Sequence, residues 1–432
     1  MGENFELKTV MKKIITSAGI VALGAVGLQA AYAPGLTAVE RSKPWSVSAA
    51  LRGFYDDNYA TLPSSSPNKA GSWGLDFSPS LSLNFPFEQT LASLKYTYDL
   101  RYYADRSNSA DHSHVVNAKL DHAFTEDYKL DLSDTFVIAQ EAQLLNPANA
   151  PIPTLMRMNG NNMRNTAALN FHGQFTRQLG FLVGYSNSLY DYDDPNYKAV
   201  LNRMEHLATF NLRWQALPQT VAILGYQFGI VEQDQDDNVK IPFGGVLGTL
   251  PAKVRDRQSH YVYIGADQSF NPQLNGMFRV GAEFTDYPNV SDYASASTYF
   301  RESNVTPYAD ANITWTYLPG SYAQLGVKHS IAQTDIYAQD QEATTVYGSI
   351  NHSFTPKFMA SLIGQYQNSS LEKYLGGPSM GENYYVVGLN LTYKINEFLS
   401  AETGYNFDKV DSDVPNRGFD RSRVYFGFRA AY

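Results

Sequence analysis

The sequence predicts an all-β protein, a transmembrane antiparallel up-and-down β-barrel of about 18 strands (16–18) with short periplasmic turns and long extracellular loops. Residues 424–432 alternate apolar and mixed side chains without interruption, which is the pattern of a strand with two different faces. About eighteen segments of roughly 10–14 residues share this alternation, and that length lets a tilted strand cross a bilayer. A soluble β-sandwich or β-solenoid would instead have strands of roughly five or six residues.

The composition favours one large barrel domain over several small domains. The 432 residues include 31 Tyr, 24 Phe and 31 Gly, but only 17% are charged and none is Cys. The lack of Cys in the sequence excludes disulfide bonds and thiolate–metal sites. The net charge of −9 argues against a nucleic-acid partner.

Residues 1–33 are expected to be an N-terminal extension and a signal peptide, which leaves residues 34–432 as a single outer-membrane barrel domain. A basic start precedes an apolar stretch, residues 14–28, that is too short and too rich in Ala and Gly for a spanning helix. A buried core helix is the alternative interpretation of this stretch. The small-residue rule allows cleavage after Ala30, Ala31 or Ala33.

The connections between the segments are expected to alternate between short turns and long loops. Pro supplies the turn geometry in two related segments, Phe270–Leu274 and Phe354–Phe358. An even number of strands would place both termini in the periplasm. Long loops are expected at 56–71, 104–113, 140–163, 191–203, 231–258, 288–303, 333–343, 368–382 and 408–420.

The side chains between the apolar positions are polar and would line the interior. A barrel of about 16–18 strands is too wide for side chains to fill, so a water-filled lumen is expected. The inward charges have both signs, which predicts no strong ion selectivity; opposite charges either brace the wall or guide a solute. The pore-lining candidates are Arg52, Asp76, Lys95, Arg101, Arg213, Arg279, Glu283, Asp310, Lys328, Glu402 and Arg429.

Two of the long loops, 140–163 and 231–258, are too long to be simple connections. Both contain apolar residues, which favour burial, so we expect one or both to fold into the mouth and narrow or plug the channel. The alternative is that they pack on each other as an external cap. The constriction candidates in the second loop are Ile241, Phe243, Leu247 and Leu250.

The sequence contains no recognisable catalytic or metal-binding pattern. The eight His residues are scattered, and no nucleophile, base and acid follow a catalytic spacing. Acidic loop residues such as Asp234 and Asp236 could bind Ca²⁺, but a solvated surface is the favoured interpretation, since no EF-hand spacing is present. We therefore expect no enzyme activity, cofactor or metal. Asp134 falls on the apolar face of its strand, which predicts either a register error or a nearby bulge.

The C-terminal strand, with Phe426, Phe428 and the terminal Tyr432, resembles the signal that bacterial barrel-assembly machinery reads. Together with the signal peptide and the hairpin pattern, it makes residues 44–432 similar to the outer-membrane β-barrel porins of Gram-negative bacteria, some of which accompany exopolysaccharide-export genes. Unlike the well-known trimeric porins, this chain has no obvious acidic constriction-loop motif, which leaves its oligomeric state open.

The resemblance implies a channel for passive diffusion of small hydrophilic solutes, with saccharides as one candidate class. It also implies lipid, lipopolysaccharide and the assembly machinery as partners. Two alternatives remain open at this stage. The barrel could be a conduit or anchor of an exopolysaccharide or other surface export system, or a plugged structural or adhesive protein.

Overall fold

Eighteen antiparallel strands form a closed barrel in the described part of the chain. In this computed structural model, residues 44–106, 110–140, 143–145, 156–158, 161–193, 198–234, 238–243, 246–373 and 377–432 are described. Each barrel strand pairs with the next along the chain, and the last pairs with the first, so the sheet has no free edge. The predicted 18-strand up-and-down barrel is confirmed. The predicted signal peptide lies outside the described residues.

Numbered along the chain, the barrel strands are β1 (Trp45–Asp56), β2 (Ser72–Pro86), β3 (Thr90–Tyr103), β4 (Ala110–Ala123), β5 (Tyr128–Ala139), β8 (Asn162–Gln174), β9 (Leu179–Tyr192), β10 (Arg203–Leu217), β11 (Thr220–Gln233), β14 (Arg257–Asn271), β15 (Leu274–Asp286), β16 (Ser303–Leu318), β17 (Ser321–Ala332), β18 (Asp340–Ser353), β19 (Phe358–Glu372), β20 (Met380–Lys394), β21 (Leu399–Ser412) and β22 (Phe419–Ala431). Two hairpins lie within long loops: β6 (Gln143–Leu145) with β7 (Met156–Met158), and β12 (Asn238–Phe243) with β13 (Val246–Pro251).

The period of two separates an apolar outer face from a polar inner face. On β1, Leu51 is 55% exposed on the outer face, whereas the next side chain, Arg52, is largely buried on the inner face. Asp134 lies on the outer face as its parity indicates, because the registers of β5 with both neighbours are continuous. The predicted register error or bulge is therefore wrong. Asp134 instead accepts a hydrogen bond from Asn165 on β8.

Several of the short turns share one hydrogen-bonding design. Asn271 Oδ1 accepts the backbone N–H groups of Gln273 and Leu274, both at 2.9 Å. Thr355 Oγ1 accepts those of Lys357 and Phe358, at 3.2 and 3.0 Å. These side chains satisfy amides that the tight turn leaves without a ladder partner. We call this rim of the barrel the turn end and the opposite rim, which carries the long loops, the loop end.

Helical structure in the described residues is confined to the loop end. It comprises the short helices α1 (Lys198–Leu201) and α2 (Ala294–Tyr299) and a 3₁₀ turn (Ala252–Arg255). None of the described helices is both long and apolar enough to span a membrane. These segments instead pack at the mouth of the barrel, where they contribute to the site described next.

Candidate pore and its mouth

Four of the pore-lining candidates form one ionic cluster on the inner face. Arg52 on β1 lies 3.3 Å from Asp76 on β2 and 2.7 Å from Glu402 on β21. Arg101 on β3 lies 3.1 Å from the other oxygen of Asp76. Between β1 and β21, the residue of β22 that is in register with both Arg52 and Glu402 is Gly427. Because Gly427 has no side chain, the Arg52–Glu402 ion pair can pass over β22 and join β1 to β21.

A second ionic cluster lies further around the wall. Asp267 on β14 contacts two candidate cations, Arg213 at 2.9 Å and Arg279 at 2.5 Å. Lys328 lies 3.6 Å from Asp310 on the neighbouring strand. The opposite charges on this part of the inner face are thus arranged in pairs, which favours a bracing role for them.

The remaining three candidates are Glu283, Arg429 and Lys95. Glu283 is fully buried and accepts the backbone N–H of Ile331 at 2.9 Å. Arg429 donates to Ser48 Oγ at 3.0 Å across the β1–β22 pairing. Lys95 is half-buried on β3. A pore-lining role for the eleven candidates stays a prediction.

An aromatic patch adjoins the second ionic cluster on the inner face. Tyr308 packs against Tyr261 and Tyr263 with ring centroids 5.4 and 5.5 Å apart. Tyr263 donates a hydrogen bond to Asn211 Oδ1 at 2.6 Å. The inner wall therefore combines ring surfaces with charged and amide groups, rather than presenting one kind of chemistry.

The mouth is crossed by residues 333–339, which connect β17 to β18 and which we call the crossing loop. On one side, Arg255 Nη2 donates to Thr334 O at 3.3 Å, and Arg255 Nη1 donates to Val200 O at 3.2 Å. Gln233 Nε2 donates to Gln333 Oε1 at 3.3 Å. Arg255 and Val200 belong to connections that precede β14 and β10, so these bonds tie together loops from separate sectors of the barrel.

On its other side, the crossing loop is held by Arg417, from the loop between β21 and β22. Arg417 Nη2 donates to Asp335 Oδ1 at 2.6 Å, and the guanidinium also contacts Glu382 and Tyr384. Burial would lower the pKa of Arg417, but the attraction of Asp335, Tyr384 and Glu382 outweighs it and raises the pKa well above its ordinary value. Arg417 therefore remains charged and holds two carboxylates together.

Burial and neighbouring charge act differently on Arg255. Burial, together with the nearby cations Arg203 and Arg257, lowers the pKa of Arg255 to about 10. The guanidinium still carries its charge at neutral pH. Arg255 is a buried cation between several loops, so the loss of one of its hydrogen-bond acceptors would destabilise this part of the mouth.

Sequence reasoning missed Arg255, Asp335 and Arg417. Arg255 lies in the long loop 231–258, where the apolar residues drew the prediction instead, whereas the loops of Asp335 and Arg417 are polar and were not distinguished by apolar content. For Arg417, a usable signal was a single Arg in a largely acidic loop, because a buried Arg can join several carboxylates and carbonyls at once.

The constriction candidates of the notably apolar loop lie in the hairpin β12–β13. The backbone of Ile241 is paired with Gly248 in this hairpin, but the side chains of Ile241, Phe243 and Leu247 lie outside the described residues. Leu250 is buried in a cluster with Val254, Tyr287, Val290, Ala296 and Phe300. This end of the hairpin therefore packs against the loop between β15 and β16. Most of the other long loop, 140–163, lies outside the described residues.

The predicted assembly-signal residues lie on the outer face of the closing strand. The rings of Phe426 and Phe428 meet edge to face with centroids 5.4 Å apart. Tyr432 packs against Trp45 at 5.6 Å and Phe398 at 6.1 Å, and its backbone pairs with Val47. The terminal residue therefore has a structural contact in addition to any recognition role.

The C-terminal part of the chain resembles a known protein family. Residues 253–432 match the family model described as putative beta-barrel porin 2. This part of the closed barrel is similar to a porin family. The matched region of this porin-like barrel runs from the 3₁₀ turn at the mouth to the C-terminus, and it includes Arg255, the crossing loop and Arg417.

Three solved porins resemble the chain, each over 90% of its length and 99% of their own. OccAB4 of Acinetobacter baumannii is 12% identical with a TM-score of 0.45. A BenF-like porin of Pseudomonas fluorescens Pf-5 is 10% identical with a TM-score of 0.46. OpdK of Pseudomonas aeruginosa, solved with vanillate, is 12% identical with a TM-score of 0.44. No curated protein matches the chain.

Proposed function

We propose that this porin-like barrel is a channel for the passive diffusion of small hydrophilic solutes, saccharides among them. The observation that carries the proposal is the polar inner face of a closed barrel whose outer face is apolar. Arg52, Asp76, Arg101 and Glu402 belong to this inner face. An 18-stranded barrel is wide enough to enclose an aqueous passage. The loop end would face the cell exterior, as long loops do in bacterial barrels.

We further propose that the crossing loop forms the filter of this channel. Several buried polar atoms around it have no hydrogen-bond partner among the described residues. The donors are Arg255 Nε, Arg257 Nε and Nη1 and Gln333 Nε2, and the acceptors are Gln233 Oε1, Gln341 Oε1 and Asp340 Oδ1. Because donors and acceptors are mixed, the set suits hydroxyl groups, which do both, better than a simple cation or anion.

A second candidate is a sealed barrel with a structural role or a role in export. The observation that favours it is the burial of the crossing loop, since Thr334 is fully buried and Asp335 and Arg417 are almost so. A mouth tied by three loops would block free diffusion unless the loops move. In either case, we propose that the C-terminal strand is read by the barrel-assembly machinery.

The deciding experiment is conductance of the refolded protein in planar bilayers, with liposome swelling in sugars as a second readout. Heat-modifiable migration on a gel would first establish that the barrel is folded. Steady conductance steps that oligosaccharides block, together with swelling, are the expected result. A folded barrel that gives neither steps nor swelling would overturn the channel proposal in favour of the sealed barrel. Co-purification of an export complex would then identify the export role.

A further inference from the structure

Four tyrosine–histidine pairs recur on the outer face, and their histidines lie toward the loop end. In each pair, a phenol oxygen lies within hydrogen-bond distance of an imidazole Nδ1 on the neighbouring strand. The pairs are Tyr96–His114 at 2.9 Å and Tyr98–His112, Tyr185–His206 and Tyr226–His260, each at 2.7 Å.

The pairs occupy equivalent positions in the fold. They join β3 to β4, β9 to β10 and β11 to β14, and each of these strand pairs is connected by a long loop. The geometry repeats as well: Tyr226 is in register with Val262, and its partner His260 lies two residues nearer the loop. His206 and His260 are each the fourth residue of their strands, about 10 Å from the strand ends at a rise of about 3.3 Å per residue.

The chemistry of these pairs suits the level of lipid headgroups. Imidazole and phenol groups are costly in hydrocarbon, so an outward ring of them belongs at the membrane interface. The turn end differs, because its exposed outward aromatics are mostly Phe and Trp. Examples are Phe124, Phe175, Trp214, Phe270, Trp315 and Phe354.

The hydrogen bond within each pair determines what the imidazole offers to the membrane. When the tyrosine O–H donates to Nδ1, the proton of a neutral imidazole resides on Nε2. A protonated imidazole also carries an Nε2–H. In both of these arrangements, each pair presents an N–H donor at the outer surface, and a phosphate group, which is rich in acceptor oxygens, is the complementary ligand.

We propose that the four tyrosine–histidine pairs bind the phosphate groups of the phosphorylated glycolipid in the outer leaflet. This inference rests on the proposed orientation, with the loop end outward, but not on an open channel. It assigns the sector from β3 to β14 as a lipid-binding face. The rings supply an apolar contact for the upper acyl chains, and the four Nε2–H groups supply the polar contact.

The test replaces the four histidines by phenylalanine (H112F, H114F, H206F and H260F), which keeps the rings and removes the donors. The matched control is H352F, because Tyr317 and His352 form the same kind of pair, at 2.9 Å, on the turn end. Barrels are purified in mild detergent from outer membranes, where the glycolipid is confined to the outer leaflet, and bound glycolipid per barrel is measured by mass spectrometry. Heat-modifiable migration establishes folding of every variant.

The four-histidine variant is expected to retain much less glycolipid, with binding about five-fold weaker for each hydrogen bond lost, while H352F retains as much as the native protein. Equal retention by the four-histidine variant and the native protein would overturn the inference. Vesicles containing lipid A, with and without its phosphates, give a second readout. If lipid A without phosphates binds equally well, the phosphate contact is wrong. Conductance of the same variants in phospholipid bilayers tests the channel separately.

Discussion

Arg417 Nη2 lies 2.6 Å from Asp335 Oδ1, although the loops that carry them are separated by four strands of the barrel wall. The contact is possible only because both loops turn inward over the mouth. Arg417 also holds Glu382, so one guanidinium compensates two buried carboxylates. A charge network therefore connects the loops at the mouth, and their closed arrangement depends on Arg417, Asp335 and Glu382.

Replacing Arg417 by leucine is expected to open the mouth. The substitution leaves Asp335 and Glu382 buried without a cation, a change that costs about 3–5 kcal/mol and is relieved when the crossing loop moves into water. Single-channel conductance should increase, and proteolysis within 333–339 should become faster. The control is K409Q, because the Lys409–Asp411 pair is 40% and 49% exposed and contributes little. Unchanged conductance and proteolysis in R417L would contradict the prediction.

Replacing Gly427 by alanine is expected to weaken the closure between β1 and β22. A Cβ at this position would lie 2.2 Å from Leu51 O and 2.6 Å from Arg52 Cα, so the backbone itself must move. The matched control is G53A, since Gly53 faces Phe426 across the same pairing and a Cβ there meets nothing within 4 Å. The midpoint of thermal unfolding, followed by gel migration, should fall for G427A alone. Equal midpoints for the two variants would show that the backbone accommodates the Cβ at position 427 without loss of stability, and the prediction would be wrong.

The pH dependence of the mouth is expected to involve Asp256, which follows the 3₁₀ turn. Burial, together with the repulsion of Glu232, raises the pKa of this carboxyl to about 6. A raised pKa in the folded state means that the folded loop binds the proton more tightly than the unfolded loop. The stabilisation is therefore complete below about pH 4 and is lost as pH rises through about 6.

Amide hydrogen exchange measures this dependence directly, because the Gln233 N–H donates to Asp256 Oδ1 at 2.7 Å. The protection factor of this amide should fall between about pH 4 and 6. In D256N, the side-chain oxygen can still accept the bond but no longer titrates, so the protection factor should be independent of pH over this range. A native protein whose protection does not change with pH would refute the prediction.

Replacing Tyr432 by alanine is expected to reduce insertion in cells more than refolding in detergent. Refolding should persist because β1 and β22 remain paired from Ser48 to Asp56, whereas recognition by the assembly machinery would be lost. The two readouts are heat-modifiable barrel in outer membranes and in refolded samples. If both fall equally, the contacts of Tyr432 with Trp45 and Phe398 account for the effect, and the signal role is unsupported.

The sequence was sufficient for the wall but not for the contacts across it. Alternation places Leu51 outward and Arg52 inward because the side-chain period of a strand is fixed. The same rule cannot tell that Arg52 meets Glu402, 350 residues away, since that contact depends on closure of the barrel and on the glycine between them. The contacts at the mouth were harder still to predict, because the backbone path of a loop does not follow from periodicity. The contact between Asp335 and Arg417 is evident only in the folded structure.

The pairing of β1 with β22, in which Ser48 lies opposite Ala431, joins the first and the last strand of the described wall. Such a pairing cannot form on a growing chain. The backbone groups on one edge of β1 remain without their partner strand until the other seventeen strands have been synthesised and exported. Contacts of this separation form slowly, because a long loop must be closed before any of them is made. A chain interrupted anywhere before β22 would therefore remain an open sheet with two unpaired edges, one on β1 and one on its last strand.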